Sequence, residues 1–171
     1  MEPKRLVPSL LVELYRVEHS TCRHSMRESS LIGNVPPGTA ARVIAAHASL
    51  VLDDLVTLAK KRDISLTTLG SVVGDAWRYM RDVVRGPFLD LEHSYRETLL
   101  GAREGIDLVR LLRSAAVDDG DDELVAWCDR WLPTRTRLVR EAADELEWMA
   151  KHPAFAQRHA IPVLGAKPLP A

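Results

Sequence analysis

Apolar residues along this chain recur every three to four positions, and the strict alternation of a half-buried strand is nearly absent. The spacing predicts an all-α protein with four long helices and one shorter helix. The first runs from about Leu6 to Leu31 and places Val7, Leu10, Leu11, Leu14, Glu18, Thr21 and Ser25 on one face. Residues 32–38, Ile-Gly-Asn-Val-Pro-Pro-Gly, break it, and Thr39 is the expected N-cap of the next helix. The second helix reaches about Arg62, with Ala40, Ile44, His47, Val51, Leu55 and Leu58 on one side. Its Lys60-Lys61-Arg62 end complements the helix dipole. A shorter amphipathic helix is expected over about 71–85, with Val73, Ala76, Trp77, Met80 and Val84 apolar, ended by Gly86-Pro87.

The third long helix is expected over about 88–117, with a stripe of Phe88, Leu91, Tyr95, Leu99, Ala102, Ile106 and Val109. A second apolar stripe, Leu100, Leu108 and Leu111, lies on the opposite side and calls for cover by the short helix or by another subunit. After the acidic turn Asp118-Asp119-Gly120-Asp121-Asp122, a fourth helix runs over about 121–151 and is expected to bend at Pro133. Leu124, Trp127, Trp131, Leu138, Ala142, Glu145 and Met149 face inward on it. The pattern stops at Pro153. Residues 1–153 therefore read as one bundle domain, and 154–171 as an extended, proline-containing tail. Four helices of ~25 residues, each ~37 Å long, make an antiparallel four-helix bundle. The stretch between the second and third is too long for a hairpin and carries its own helix, as a long crossover does.

Length and composition fit that reading. The 171 residues, 46% of them hydrophobic and 27% charged, suffice for a core and exclude global disorder. A net charge of -1 asks for neither nucleic acid nor an anionic membrane. Two cysteines, Cys22 and Cys128, form no disulfide framework, and neither a membrane span nor a signal peptide is apparent. A soluble cytoplasmic protein is expected.

The candidate chemistry lies in polar residues on core-facing stripes. Glu18, His47 and Glu145 point inward, and Asp54, Glu92 and Arg135 lie at stripe edges. A buried carboxylate must be paired, hydrogen-bonded, protonated or metal-bound. Carboxylates and histidines inside a four-helix bundle are how di-iron and di-manganese centres are built, and such centres use a Glu-x-x-His pair on two helices. Neither pair is present: Ile44 stands three before His47, and Glu141 and Glu145 have no nearby histidine. Counted from the first turn, Glu18 and His47 differ in depth by roughly 7 Å, whereas Glu92 and Glu145 come level near the open end of their hairpin. The plainer expectation is internal ion pairs and hydrogen bonds, with Arg135 and Tyr95 as partners. His19 and Cys22 share a face as soft ligands, but no matching pair completes a zinc site. No nucleophile arrangement and no phosphate loop stands out. The tail segment Ile161, Pro162, Val163 and Leu164 is apolar enough to dock in a groove.

The crossover residues Gly70-Ser71-Val72-x-Gly74, Trp77, Arg81 and Gly86, with Leu-x-x-Leu-Tyr-Arg-x-Glu from Leu11 to Glu18, carry a resemblance. Over about residues 6–150 the chain resembles the ferritin-like superfamily, in particular the bacterial four-helix-bundle branch related to stress-associated ferritin-like proteins. The resemblance implies a bundle with a long crossover, often dimeric. It also implies a metal ligand at the position of Glu18, with His47, Glu92 and Glu145 the nearest candidates on the other helices. Because both Glu-x-x-His pairs are absent, the expected function is non-enzymatic: a structural or interaction module without cofactor, self-associating through Leu100, Leu108 and Leu111 and offering its tail to a protein partner. The alternative is an iron or manganese protein with an atypical site. A third reading is a small-ligand gap lined by Trp127, Trp131 and Tyr95.

Overall fold

The computed structural model describes residues 6–66 and 90–160. The expected short helix at 71–85, Phe88 and the tail residues 161–171 lie outside the described residues. Helix α1 spans Leu6–Ile32, α2 Pro36–Lys60, α3 Leu91–Asp118 and α4 Asp122–Asp144. Two short helices follow, α5 at Leu146–Lys151 and α6 at Pro153–Ala156. Among the described residues the regular structure is helical, apart from one isolated bridge between Asp90 and His159. The four long helices pack together: α1 lies against α2 and α3, and α4 against α3 and α2. Leu11, Leu14, Ile44, Leu55, Val109, Leu112 and Leu124 are fully enclosed between them.

The start of α2 differs from expectation. Val35, not Thr39, occupies the N-cap, in an extended conformation and with no capping side chain. The proline that follows disfavours helical backbone at Val35, and Pro36 and Pro37 have no N–H to leave unsatisfied in the first turn. A hydroxyl cap is therefore not needed. Gly38 is set by close approach. A Cβ there would fall well inside contact distance of the Gly33 carbonyl oxygen and 3.0 Å from the Ile32 side chain.

The far end of α2 is fastened to the α3–α4 turn. Arg62 Nε and Nη2 donate to the two carboxylate oxygens of Asp121 at 2.7 and 2.6 Å, and Asp121 Oδ1 also caps α4 by accepting from the Leu124 N–H. Lys61 pairs with Glu123 beside it. The basic end of α2 thus meets a specific acidic partner, which adds to its effect on the dipole.

The fourth expected helix is two helices. It runs through Pro133 without ending there and breaks at Glu145. Pro133 is exposed, so the carbonyl it leaves without an intrahelical donor faces water. At the break, the Tyr95 hydroxyl donates to the Ala142 carbonyl at 2.8 Å. A continuous helix would offer that oxygen to residue 146, and a side chain entering the ladder is a recognised cause of a break. The extended reading of the tail also needs correcting near its start. Residues 153–156 are helical, Ala156 and Ala160 are buried, and the Leu91 N–H donates to the Arg158 carbonyl at 2.8 Å.

Two glycine substitutions test this packing. Gly38→Ala is expected to destabilise the fold by about 1–3 kcal/mol through overpacking against the Gly33 backbone. Gly101→Ala on α3 meets nothing within 4 Å and is expected to stabilise by about 0.5–1 kcal/mol from helix propensity. Urea midpoints of the two variants check both signs.

Candidate functional site

The inward seam of α1 changes character half-way along. Its first half is Val7, Leu10, Leu11 and Leu14; its second half carries Glu18, Thr21, Ser25, Glu28 and Ser29 between the apolar Val17 and Ile32, all buried. The polar half supplies two clusters.

The first surrounds Glu18. The carboxylate is 1% exposed and pairs with Arg135 of α4, which is 0% exposed; Arg135 Nη2 donates to Glu18 Oε2. Gly105 of α3 makes room for the pair. A Cβ at that position would sit 3.2 Å from Glu18 Oε1 and 3.5 Å from the Trp131 ring. The Arg135 guanidinium lies over the Trp131 ring at 5.2 Å, a cation–π contact. His47 of α2 tilts toward the same indole, with ring centroids 6.1 Å apart. Trp127 stands next to Trp131 at 6.3 Å and donates its Nε1–H to Asp54 Oδ2 at 3.0 Å. Arg135 Nε and Nη1, Trp131 Nε1 and His47 Nδ1 are buried without a hydrogen-bond partner.

The second cluster lies further along α1. Ser94 Oγ donates to Glu28 Oε1, while Glu28 Oε2 and Ser25 Oγ have no partner. Arg42 of α2 joins from outside, donating to Ser29 Oγ and to Asn34 Oδ1, each at 3.1 Å.

Burial dominates the electrostatics. It pushes the Glu18 carboxyl up to about 7, against the pull of Arg135, and pushes Arg135 down, against the pull of Glu18. Each charge has given up water for a single partner. Glu28 is likewise raised by burial, with its bond to Ser94 opposing. His47 is lowered to about 4 by burial, then by Arg135 and Arg137, with Asp54 opposing. Burial raises the Tyr95 hydroxyl, and the charges of Glu145 and Glu28 add to it.

Of the residues named as metal candidates, Glu18 and His47 join one cluster around Arg135 and Trp131, and Glu92 and Glu145 stand apart from it. Glu18 faces Arg135, and His47 faces Trp131. Glu92 turns to the surface and pairs with Arg96 at 2.6 Å. Glu145 sits at the α4–α5 break, near enough to act on Tyr95. Among the described residues no group of three or more His, Cys, Asp and Glu is placed to hold a metal ion. Cys22 and Cys128 are free thiols, and burial raises Cys128 to about 12. Trp127 and Trp131 lie together, but Tyr95 belongs with Ala142, so the three do not line one gap. Leu100 and Leu111 are exposed, whereas Leu108 packs partly buried against the core. At 100° per residue Leu108 stands about 80° round the helix from Leu100, toward the core side. Ile161, Pro162, Val163 and Leu164 lie outside the described residues.

Sequence reasoning passed over Glu28, Ser29, Arg42 and Gly105. Glu28 was detectable, because it continues the Glu18, Thr21, Ser25 spacing. Gly105 gives no local signal, since its purpose is set by atoms from α1 and α4. Comparison with protein-family models, with curated proteins and with solved structures finds no match for this chain. No described helix is long and apolar enough to cross a membrane.

The pair invites a double-mutant cycle. Glu18→Leu or Arg135→Met alone leaves a buried charge unpaired and is expected to cost about 3–5 kcal/mol in urea unfolding. The double variant is expected to recover most of that loss, because both desolvation penalties vanish together. Equal and additive losses would show that the two charges do not interact. A pH series separates the neighbours. The neutral form of His47 is favoured in the folded state, so its contribution is lost as pH falls from 6.5 toward about 4. Glu18 holds its proton longer when folded, so its contribution falls as pH rises from 4.5 toward about 7. The slopes oppose each other. In His47→Asn the opposing slope is gone and that of the raised carboxyls Glu18 and Glu28 remains, so the urea midpoint is expected to rise relative to wild type as pH is lowered from about 7 to about 5.

Proposed function

We propose that this chain is a non-enzymatic, cytoplasmic helical-bundle protein of antiparallel, ferritin-like topology that acts as a self-associating structural or protein-interaction module. The observation that carries the reading is the Glu18–Arg135 pair. In a dinuclear carboxylate bundle, metal cations balance the interior carboxylates. Here the α1 carboxylate is balanced by a guanidinium built into α4. A metal ion brought to Glu18 would meet that fixed positive charge at short range in a dry interior, where repulsion is strong. Arg135 has no protonation route out of this conflict, since a guanidinium stays charged.

Support for self-association comes from the outer surface. Leu50 of α2 is 69% exposed and Leu100 of α3 is 54% exposed, and Val43 and Leu111 stand exposed one helical face along from them. Apolar side chains of this size gain by burial against a second copy.

Two measurements test the reading. Elemental mass spectrometry of protein purified without chelator, and again after Fe(II) or Mn(II) loading, is expected to find far less than one metal per chain, indifferent to Glu18→Ala. About two metals per chain, lost in Glu18→Ala, would return the chain to the metal-binding class. Sizing with light scattering is expected to show Leu100→Glu and Leu111→Glu shifted toward monomer. An unchanged mass for both would remove α3 from the interface.

A further inference from the structure

We propose that the buried layer around Arg135 and Trp131 binds one small monovalent anion, a halide or a one-carbon carboxylate, on the unpartnered N–H groups of the guanidinium and the indole. Arg135 is 0% exposed and uses one nitrogen, Nη2, on Glu18. Its Nε and Nη1 carry three further N–H donors with no acceptor. Trp131, 4% exposed, adds an indole N–H in the same condition, under the stacked guanidinium. His47 Nδ1, on the ring beside that indole, is a third unpartnered nitrogen. Folded proteins leave few buried donors unpaired, because each one forfeits its hydration. The guanidinium and indole nitrogens can only donate, and they belong to one positive side chain and the ring beneath it, so they select an acceptor bearing negative charge and reject a cation.

Size follows from the packing. On the α3 side the layer is closed, with Glu18 and Trp131 against the bare Gly105 backbone. That tight packing confines the proposal to the smallest anions.

Charge balance dictates the rest. Glu18 and Arg135 already neutralise one another, so an anion adds an uncompensated buried charge unless a proton enters with it. The proton goes to the Glu18 carboxylate, giving a neutral acid beside an Arg135–anion pair. Glu18 is poised for this, since burial brings it to about 7. Among the described residues, the other groups facing the layer are Cys22 from α1, His47 and Asp54 from α2, and Arg137 from α4; α3 contributes the uncharged Gly105. His47 is lowered to about 4 and stays neutral, which leaves Glu18 as the proton acceptor.

Thermal unfolding of the full chain in sodium formate or sodium chloride, against sodium gluconate at matched ionic strength, tests the proposal. Near pH 6 the small anions are expected to raise Tm above gluconate, increasingly with concentration. Above the Glu18 titration, one-proton linkage weakens the affinity about tenfold per pH unit, so the difference fades near pH 8. Glu18→Gln copies the protonated acid and is expected to make the anion effect independent of pH. Trp131→Phe removes one donor and is expected to weaken binding roughly tenfold. Chloride-35 line broadening by wild-type protein, reversed by formate, reports binding without relying on any variant. Equal Tm in all three salts near pH 6, with no line broadening, means the donors hold only water and overturns the proposal. An anion effect that keeps the same size and pH dependence in Glu18→Gln and Trp131→Phe is a surface salt effect and overturns it equally.

Discussion

Two charges withdrawn from water and given to each other set the terms for the interior of this protein. Glu18 and Arg135 come from helices that are not neighbours in sequence, and neither has water to fall back on. The surrounding side chains are arranged to suit them. Gly105 gives up its side chain so that the carboxylate fits, and Trp131 offers its ring face to the guanidinium. His47 stays neutral beside the two. A buried pair of this kind adds little net stability over an apolar replacement, because desolvation offsets most of the attraction. Its effect is on which arrangement is tolerated. Sliding α1 by one turn would part Glu18 from Arg135 and leave each buried charge without its partner.

The split seam of α1 makes that selectivity sharper. Leu10, Leu11 and Leu14 would accept many apolar partners, since greasy surfaces of similar volume are nearly interchangeable. Glu18, Ser25 and Glu28 would not. One helix therefore carries an adhesive half and a discriminating half. The polar half meets α3 through Ser94 and Gly105, α2 through Arg42, and α4 through Arg135. The other end of the assembly is tied differently, by the forked Arg62–Asp121 contact, which lies partly in solvent and caps α4 at the same time.

What was legible in the sequence were the features that repeat along one helix. The period of Val7, Leu10, Leu14, Glu18, Thr21 and Ser25 put the correct face of α1 inward, whereas Pro36 and Pro37, read as part of the break, turn out to be the first residues of α2. Long helices at the remaining three places follow from the same arithmetic. What was not legible depends on atoms brought from elsewhere. The break at Glu145 arises where a tyrosine from α3 takes a carbonyl from α4, and no local spacing announces that. Glu92 sits at a stripe edge on paper and faces out in fact, because Arg96 one turn on gives it a partner in solvent. The Thr39 cap was a reasonable inference from residue type, overridden by prolines that need no cap. Arg135 was legible as a partner for an internal carboxylate; the glycine that lets the pair close was not.

The late character of charge burial has a kinetic meaning. A loosely assembled chain still admits water, and in water the attraction between Glu18 and Arg135 is close to nothing. The apolar half of α1 attracts its neighbours at every stage of compaction, but the pair becomes an asset only when the last hydration shells have left. An interaction that forms only after the folding transition state slows escape from the native state without hastening arrival. The pair is a latch, thrown after the door has shut.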